Sequence, residues 1–336
     1  MEQNTDIIHL PQQVEVIEPI ILPVELGGIS SSTKPFIEAN TSDCCFSEIK
    51  EKHVIPVWLK DNEPLISHAD FIQATSDMVS DIYHGERILQ PAIRVSHPIK
   101  GRIPSAKDKP AHQLQEHEKT LFYERMMFVI EIPSIQSVVD GNILSLMVGG
   151  IKSFGEDNLY QRTGADQHFK IFIGFQNKVC TNLCVWSDGY TANLSVKGFS
   201  DLLISIKSLI QRYSSNNHLF HLEQLTQYSL SEHQFAQLIG RCRMYQHLPN
   251  DMKQSIPPML LGEQQMGAVV RDYYRDDSFC RDDKGDINLW RLYNLLTGAN
   301  KSSYIDSFLD RSVNAYSFAE QIRWGLEKGN HCWYLP

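Results

Sequence analysis

Three features of the sequence predict an α+β fold, with a largely antiparallel sheet and a flanking helix in the N-terminal half, then an all-helical C-terminal third. Short runs rich in Val, Ile, Phe and Tyr, separated by Gly, Pro, Asp and Asn, fill residues 92–187. A three- and four-residue apolar period takes over after about residue 197. A leader of 35 residues, broken by Pro11, Pro19, Pro23, Pro35 and the tract Gly27 to Ser32, follows neither pattern.

Each element follows in order. Residues 1–35 read as an acidic, Pro-rich arm or disordered leader, whose clusters Val14 to Ile17 and Ile20 to Val24 suit docking on the body or on a protein partner. In the sheet domain, 36–196, Ser67 is the expected N-cap of a helix to about Tyr83, with Phe71, Ile72, Thr75, Met78, Val79 and Ile82 on one face. Strands are expected near 92–99, 120–132, 142–152, 168–176 and 178–187, with turns at Asp140-Gly141-Asn142 and Asp188-Gly189. A helical region, 197–336, packs on that sheet. Ser200 opens its first helix, and others are expected at 216–229, 231–247, 262–275, 287–297, 302–311 and 313–328.

The chain has 336 residues, 42% of them hydrophobic, enough for a core without disulfides or a structural metal. Its 31 basic and 40 acidic residues leave a net charge of −9. Residues 1–43 carry seven acids and one base, so the body is nearly neutral and has room for a local basic face. The acidic total argues against non-specific duplex binding, which depends on neutralising phosphates. No apolar stretch nears the ~20 residues of a membrane span. No base precedes Lys34, so a secretory signal is not expected, and seven scattered cysteines suit a reducing cytoplasm.

Catalytic signatures are lacking. Gly149-Gly150-Ile151-Lys152-Ser153 has Ile where a phosphate loop needs Gly, and reads as glycines at a strand end. His218-x-x-His221 and Cys180-x-x-x-Cys184 have zinc-compatible spacing but no second pair. Cys280 and Lys284 break a calcium-loop register in Asp276 to Asp286, which reads as a surface turn ending in an Asp286 helix cap. Glu48-Ile49-Lys50 falls within an expected helix rather than at a strand end. No catalytic residue, cofactor or metal is assigned, which favours a non-enzymatic role.

The most suggestive segment runs from Pro91 to His112, where Arg94, Lys100, Arg102, Lys107 and Lys109 face a single acid, Asp108. A mobile basic loop beside a sheet is suited to gripping nucleic-acid phosphates. The alternative is a solvated loop that balances the acidic leader. Arg241, Arg243 and Tyr245 form a second candidate patch for stacking bases, or an interhelix network with the acids at 276–283. Leu289, Trp290, Leu292, Tyr293 and Leu296 make an apolar helix face ending at Gly298. The polar run beside it, with Asn294, Thr297, Asn300 and Lys301, is a candidate binding edge.

The runs Ile93 to Pro104, Tyr123 to Met127, Val179 to Trp186, Gln237 to Asn250 and Asn288 to Asp310 carry a resemblance. Over residues 34–333 the sequence resembles an uncharacterised Bacteroidota family known as a domain of unknown function. Val179 to Asn182 and the Leu289 to Thr297 helix are also similar to a broader phage- and plasmid-like domain family. Neither resemblance supplies catalytic residues; together they imply a mobile-DNA setting. The expected role is an accessory protein of a mobile genetic element that binds single-stranded nucleic acid. The alternatives are a protein-interaction or anti-defence module docking through residues 1–35, and a cryptic enzyme.

Overall fold

The computed structural model describes residues 35–55, 65–158, 165–329 and 332–335. The leader and its proposed docking lie outside the described residues. Residues 34–336 form one compact unit. Its strands are β1 (Thr41–Cys44), β2 (Ala92–Ser96), β3 (Ile99–Arg102), β4 (Lys119–Phe122), β5 (Arg125–Val139), β6 (Asn142–Ser153), β7 (Gln167–Asn177), β8 (Leu183–Val196) and, as a short antiparallel pair within the otherwise helical C-terminal region, β9 (Ser229–Leu230) and β10 (Ile287–Asn288). Six of them make an antiparallel sheet in the order β1-β2-β5-β6-β7-β8, and β3 pairs with β4 as a separate ribbon. The helices are α1 (Phe46–Lys52), α2 (His68–Ile82), α3 (Phe154–Asn158), α4 (Phe199–Arg212), α5 (Ser215–Gln224), α6 (Glu232–His247), α7 (Asn250–Lys253), α8 (Glu263–Arg275), α9 (Leu289–Asn300) and α10 (Ile305–Lys328).

The sheet is covered on both faces around the first half of β5, which explains why Met126 to Ile130 reads as a continuous apolar run. Met126, Phe128, Ile130 and Ile132 point to one side and join Phe71, Ile72 and Val79 of α2 and Leu202, Ile206 and Leu209 of α4. The same core continues into α6, α8 and α9, where Trp290 and Tyr293 are fully buried. Met127 and Val129 point to the other side, against Phe36, Ile37 and the first turns of α10. Gly149 and Gly150 lie within β6 rather than at its end; a Cβ on Gly150 would overlap the Phe71 ring. Glycine here lets an aromatic ring sit directly on the sheet backbone. Among the described residues, no helix is long and apolar enough to cross a membrane.

Local chemistry fixes the start of α2 as expected. Ser67 Oγ accepts from Asp70 N and Asp70 Oδ2 accepts from Ser67 N, both at 3.1 Å, a reciprocal cap. Other expectations are corrected. The β7–β8 turn is residues 178–182, whereas Asp188-Gly189 lies inside β8 where the register slips between Phe172↔Tyr190 and Gly174↔Val185. The Asp-Gly pair thus marks a bulge rather than a hairpin turn. The two helices expected over 302–328 are the single α10; Ser312 Oγ donates to Phe308 O one turn back and leaves the helix unbroken. Asn288, not Asp286, caps α9 by accepting from Arg291 N at 2.8 Å. The 216–229 helix stops as α5 at Gln224, and His218 and His221 both lie within it. Strand β1 was not expected from its Thr-Ser-Asp-Cys sequence.

Candidate polyanion-binding cleft

The β3–β4 ribbon gathers charge. Its register sets Lys100 opposite Leu121 and Arg102 opposite Lys119. Opposed residues of an antiparallel pair share a face, and residues two apart on a strand also share it. Lys100, Arg102, Lys119 and Leu121 therefore lie on one side. The last turn of α1 and the chain leaving it run beside them, with Val54 N donating to Leu121 O at 2.8 Å, and add Glu51, Lys52 and Val54. Short turns over 104–118 close the other wall with Ala111, Leu114, Glu116 and His117. The result is an open cleft of about 840 Å³ lined by four cationic side chains and two carboxylates.

Like charges set directly opposite repel. Arg102 and Lys119 are such a pair, and each has local compensation. Glu116 accepts from Lys119 Nζ at 2.5 Å, and this bond holds the Glu116 carboxyl below the usual carboxylate range. Arg102 Nη1 donates to the carbonyls of Lys107 (3.4 Å) and Lys109. Among the described residues, Lys52 and Lys100 make no ion pair. The cleft thus keeps two uncommitted ammonium groups beside an apolar floor of Val54, Ile103, Leu114 and Leu121.

The expected basic loop is only partly this site. Lys100 and Arg102 line the cleft, and Lys107 is exposed beside it. Lys109 ion-pairs with the buried Glu118, whose carboxyl it holds down, so the loop is stapled by its own residues. Arg94 is corrected: its guanidinium is buried and bonds Asp43 Oδ1 (2.6 Å), Thr41 Oγ1 and Thr41 O, tying β1 to β2. Lys52 and Lys119 were missed because they lie outside the basic segment. Only the pairing of 51–54 and 119–122 brings them in.

The second patch does not join the cleft. Arg243 pairs with Glu263 at 2.7 Å rather than with the acids at 276–283, and Arg241 stacks over Trp333 at 5.1 Å. Tyr245 faces the core beside Trp333 and Tyr334. The candidate edge on α9 is also corrected, since Asn294, Asn300 and Lys301 are buried. Asn294 Oδ1 accepts from Asn177 Nδ2 at 3.2 Å, and Asn300 Nδ2 donates to Phe308 O and Ser312 Oγ, both at 2.9 Å. Lys301 Nζ reaches Cys180 O and Thr181 Oγ1 on the β7–β8 turn. Packing therefore accounts for this polar run. It also joins the two short motifs, as Asn182 Nδ2 donates to Asn294 O at 2.8 Å.

The acidic turn after α8 bonds its own backbone: Asp276 Oδ1 takes Ser278 N and Phe279 N, and Asp282 Oδ1 takes Lys284 N and Asp286 N. Among the described residues, no three His, Cys, Asp or Glu side chains are grouped to hold a metal.

No curated protein and no solved structure matches the chain. The family model described as "Domain of unknown function, B. Theta Gene description (DUF3871)" matches residues 18–335 and so begins inside the leader, upstream of the resemblance at 34. With nearly the whole length matched, from the leader through the ribbon to α10, the chain belongs to this domain-of-unknown-function family.

Proposed function

We propose that the chain is a non-enzymatic binding protein for single-stranded nucleic acid, and that the ribbon cleft is where the phosphates sit. The observation that carries this reading is the convergence of Lys52, Lys100, Arg102 and Lys119 from three separate stretches of chain on one cleft. Lys100 and Arg102 are two residues apart on a strand, about 6.6 Å along it. That spacing is comparable to the step between phosphates of an extended strand. A role in mobile-element DNA handling accords with the phage- and plasmid-like resemblance of Val179 to Asn182 and Leu289 to Thr297.

Fluorescence anisotropy of labelled single-stranded and duplex oligonucleotides at several salt concentrations tests it. Three or four phosphate contacts give a log–log salt slope of about −2 to −3 on single strands. Replacing Lys100 with Gln lowers the slope by about 0.7. Binding with no salt dependence, or no binding of either oligonucleotide, overturns the reading.

A further inference from the structure

The cleft wall at 51–54 is held from behind by stacked rings. The His53 backbone bridges Leu121 in parallel, and the next residue donates the Val54–Leu121 bond. The His53 ring stacks on His68 with centroids 4.8 Å apart and planes 21° apart, and also packs on Phe122 and Phe154. His68 is fully buried at the start of α2. Its Nε2 lies 2.8 Å from Tyr123 O, which only accepts, so Nε2 carries the hydrogen and Nδ1 is a bare lone pair. His68 Nδ1 and His53 Nε2 have no hydrogen-bond partner among the described residues.

A proton added at either atom makes a buried N–H⁺ with no partner of its own; the Tyr123 carbonyl, which favours charge on His53, is already bonded by His68 Nε2, and burial outweighs it. It also sets an imidazolium ring on ring with a second imidazole, near the Lys152 ammonium of β6. The neighbouring carboxylates are engaged. Glu48 of α1 accepts from the Tyr123 hydroxyl at 2.5 Å, and Asp157 of α3 is paired with Lys152 and lies 3.4 Å from His168 Nδ1 of β7. Burial pushes His53 down to about 4 and His68 well below its ordinary range, so both rings are neutral at pH 7.

We propose that the His53–His68 stack is a proton-operated latch: neutral rings hold the 51–54 wall against β4, and protonation releases it and opens the cleft. The latch is independent of what the cleft binds. Opening returns His53 to an ordinary value near 6.5 and takes up a proton, so the opening equilibrium rises about tenfold per pH unit between 6.5 and 4.

Hydrogen exchange of the full chain between pH 7 and pH 4.5, corrected for intrinsic rates, reads this out without any ligand. Protection of the Val54 amide falls by at least tenfold across that range and at every pH stays below that of the Val148 amide in the central strand β6, which follows global stability alone. In His53→Phe, which keeps the stack and cannot titrate, the Val54 dependence is reduced. Unchanged Val54 protection in the wild type overturns the latch. So does Val54 protection equal to that of Val148 at every pH, which is exchange through global unfolding alone. The wild-type comparison decides even where the variant does not fold.

Discussion

Asn177 Nδ2 donates to Asn294 Oδ1 at 3.2 Å, joining the end of β7 to the buried side of α9 across 117 residues of sequence. Both side chains are essentially inaccessible, and Asn294 also gives its Nδ2 to Trp290 O. A buried amide that satisfies partners on two elements is expensive to remove, because the groups left behind lose their bonds without regaining water. Asn294→Ala is expected to cost about 1–3 kcal/mol in denaturant unfolding and to leave cleft binding unchanged. A loss near zero would show that the β7–β8 turn is held without it.

Arg94 and Lys100 separate structure from binding. Arg94→Gln removes the guanidinium that bonds Asp43 and Thr41, so β1 loosens from β2 and stability falls by about 1–3 kcal/mol. The salt slope for oligonucleotide binding stays at the wild-type value in this variant. A change in slope with unchanged stability would place Arg94 at the phosphates after all.

Gly150 carries the packing of α2 on the sheet. Gly150→Ala places a methyl group into the Phe71 ring, which packs edge-on against Phe128 and Phe169. Overpacking of this kind costs about 1–3 kcal/mol. Phe71→Leu on the same background relieves the overlap, so the double variant loses less than the sum of the two single losses. Strict additivity in thermal or denaturant unfolding would refute the contact.

His218 makes stability depend on acid. Its ring is fully buried in α5, with Nδ1 2.6 Å from the Tyr213 hydroxyl and Nε2 unpartnered among the described residues. Burial, then the neighbouring His221, pushes it down to about 3. The unfolded chain protonates near 6.5 and the folded one does not. The stability from the neutral ring is therefore complete above about pH 6.5 and is lost progressively as pH falls toward 3. At about 1.4 kcal/mol per unit, the loss reaches a few kcal/mol. Unfolding curves from pH 7 to 4 for wild type and His218→Gln measure it, and parallel pH profiles would rule it out.

The sequence by itself determined the α+β class, the helix from Ser67, the strands of the central hairpins and most C-terminal helices. Those depend on local periodicity and capping, which a linear reading registers: the Ser67–Asp70 cap and the apolar period of α4 are both written within a few residues. It also located Lys100 and Arg102, because their charge is concentrated in one segment. Tertiary structure alone decided the rest. Arg94 is as basic as Lys100, but β1 lays Asp43 and Thr41 beside it and uses up its donors. Asn294 and Lys301 look like a polar rim until the β7–β8 turn supplies Asn177, Thr181 and Asn182 as partners. Lys52 and Lys119 join the cleft only because strand pairing places them there. Residue type sets what a side chain is able to bond; contacts far apart in sequence set whether that capacity is spent inside the fold or left at the surface.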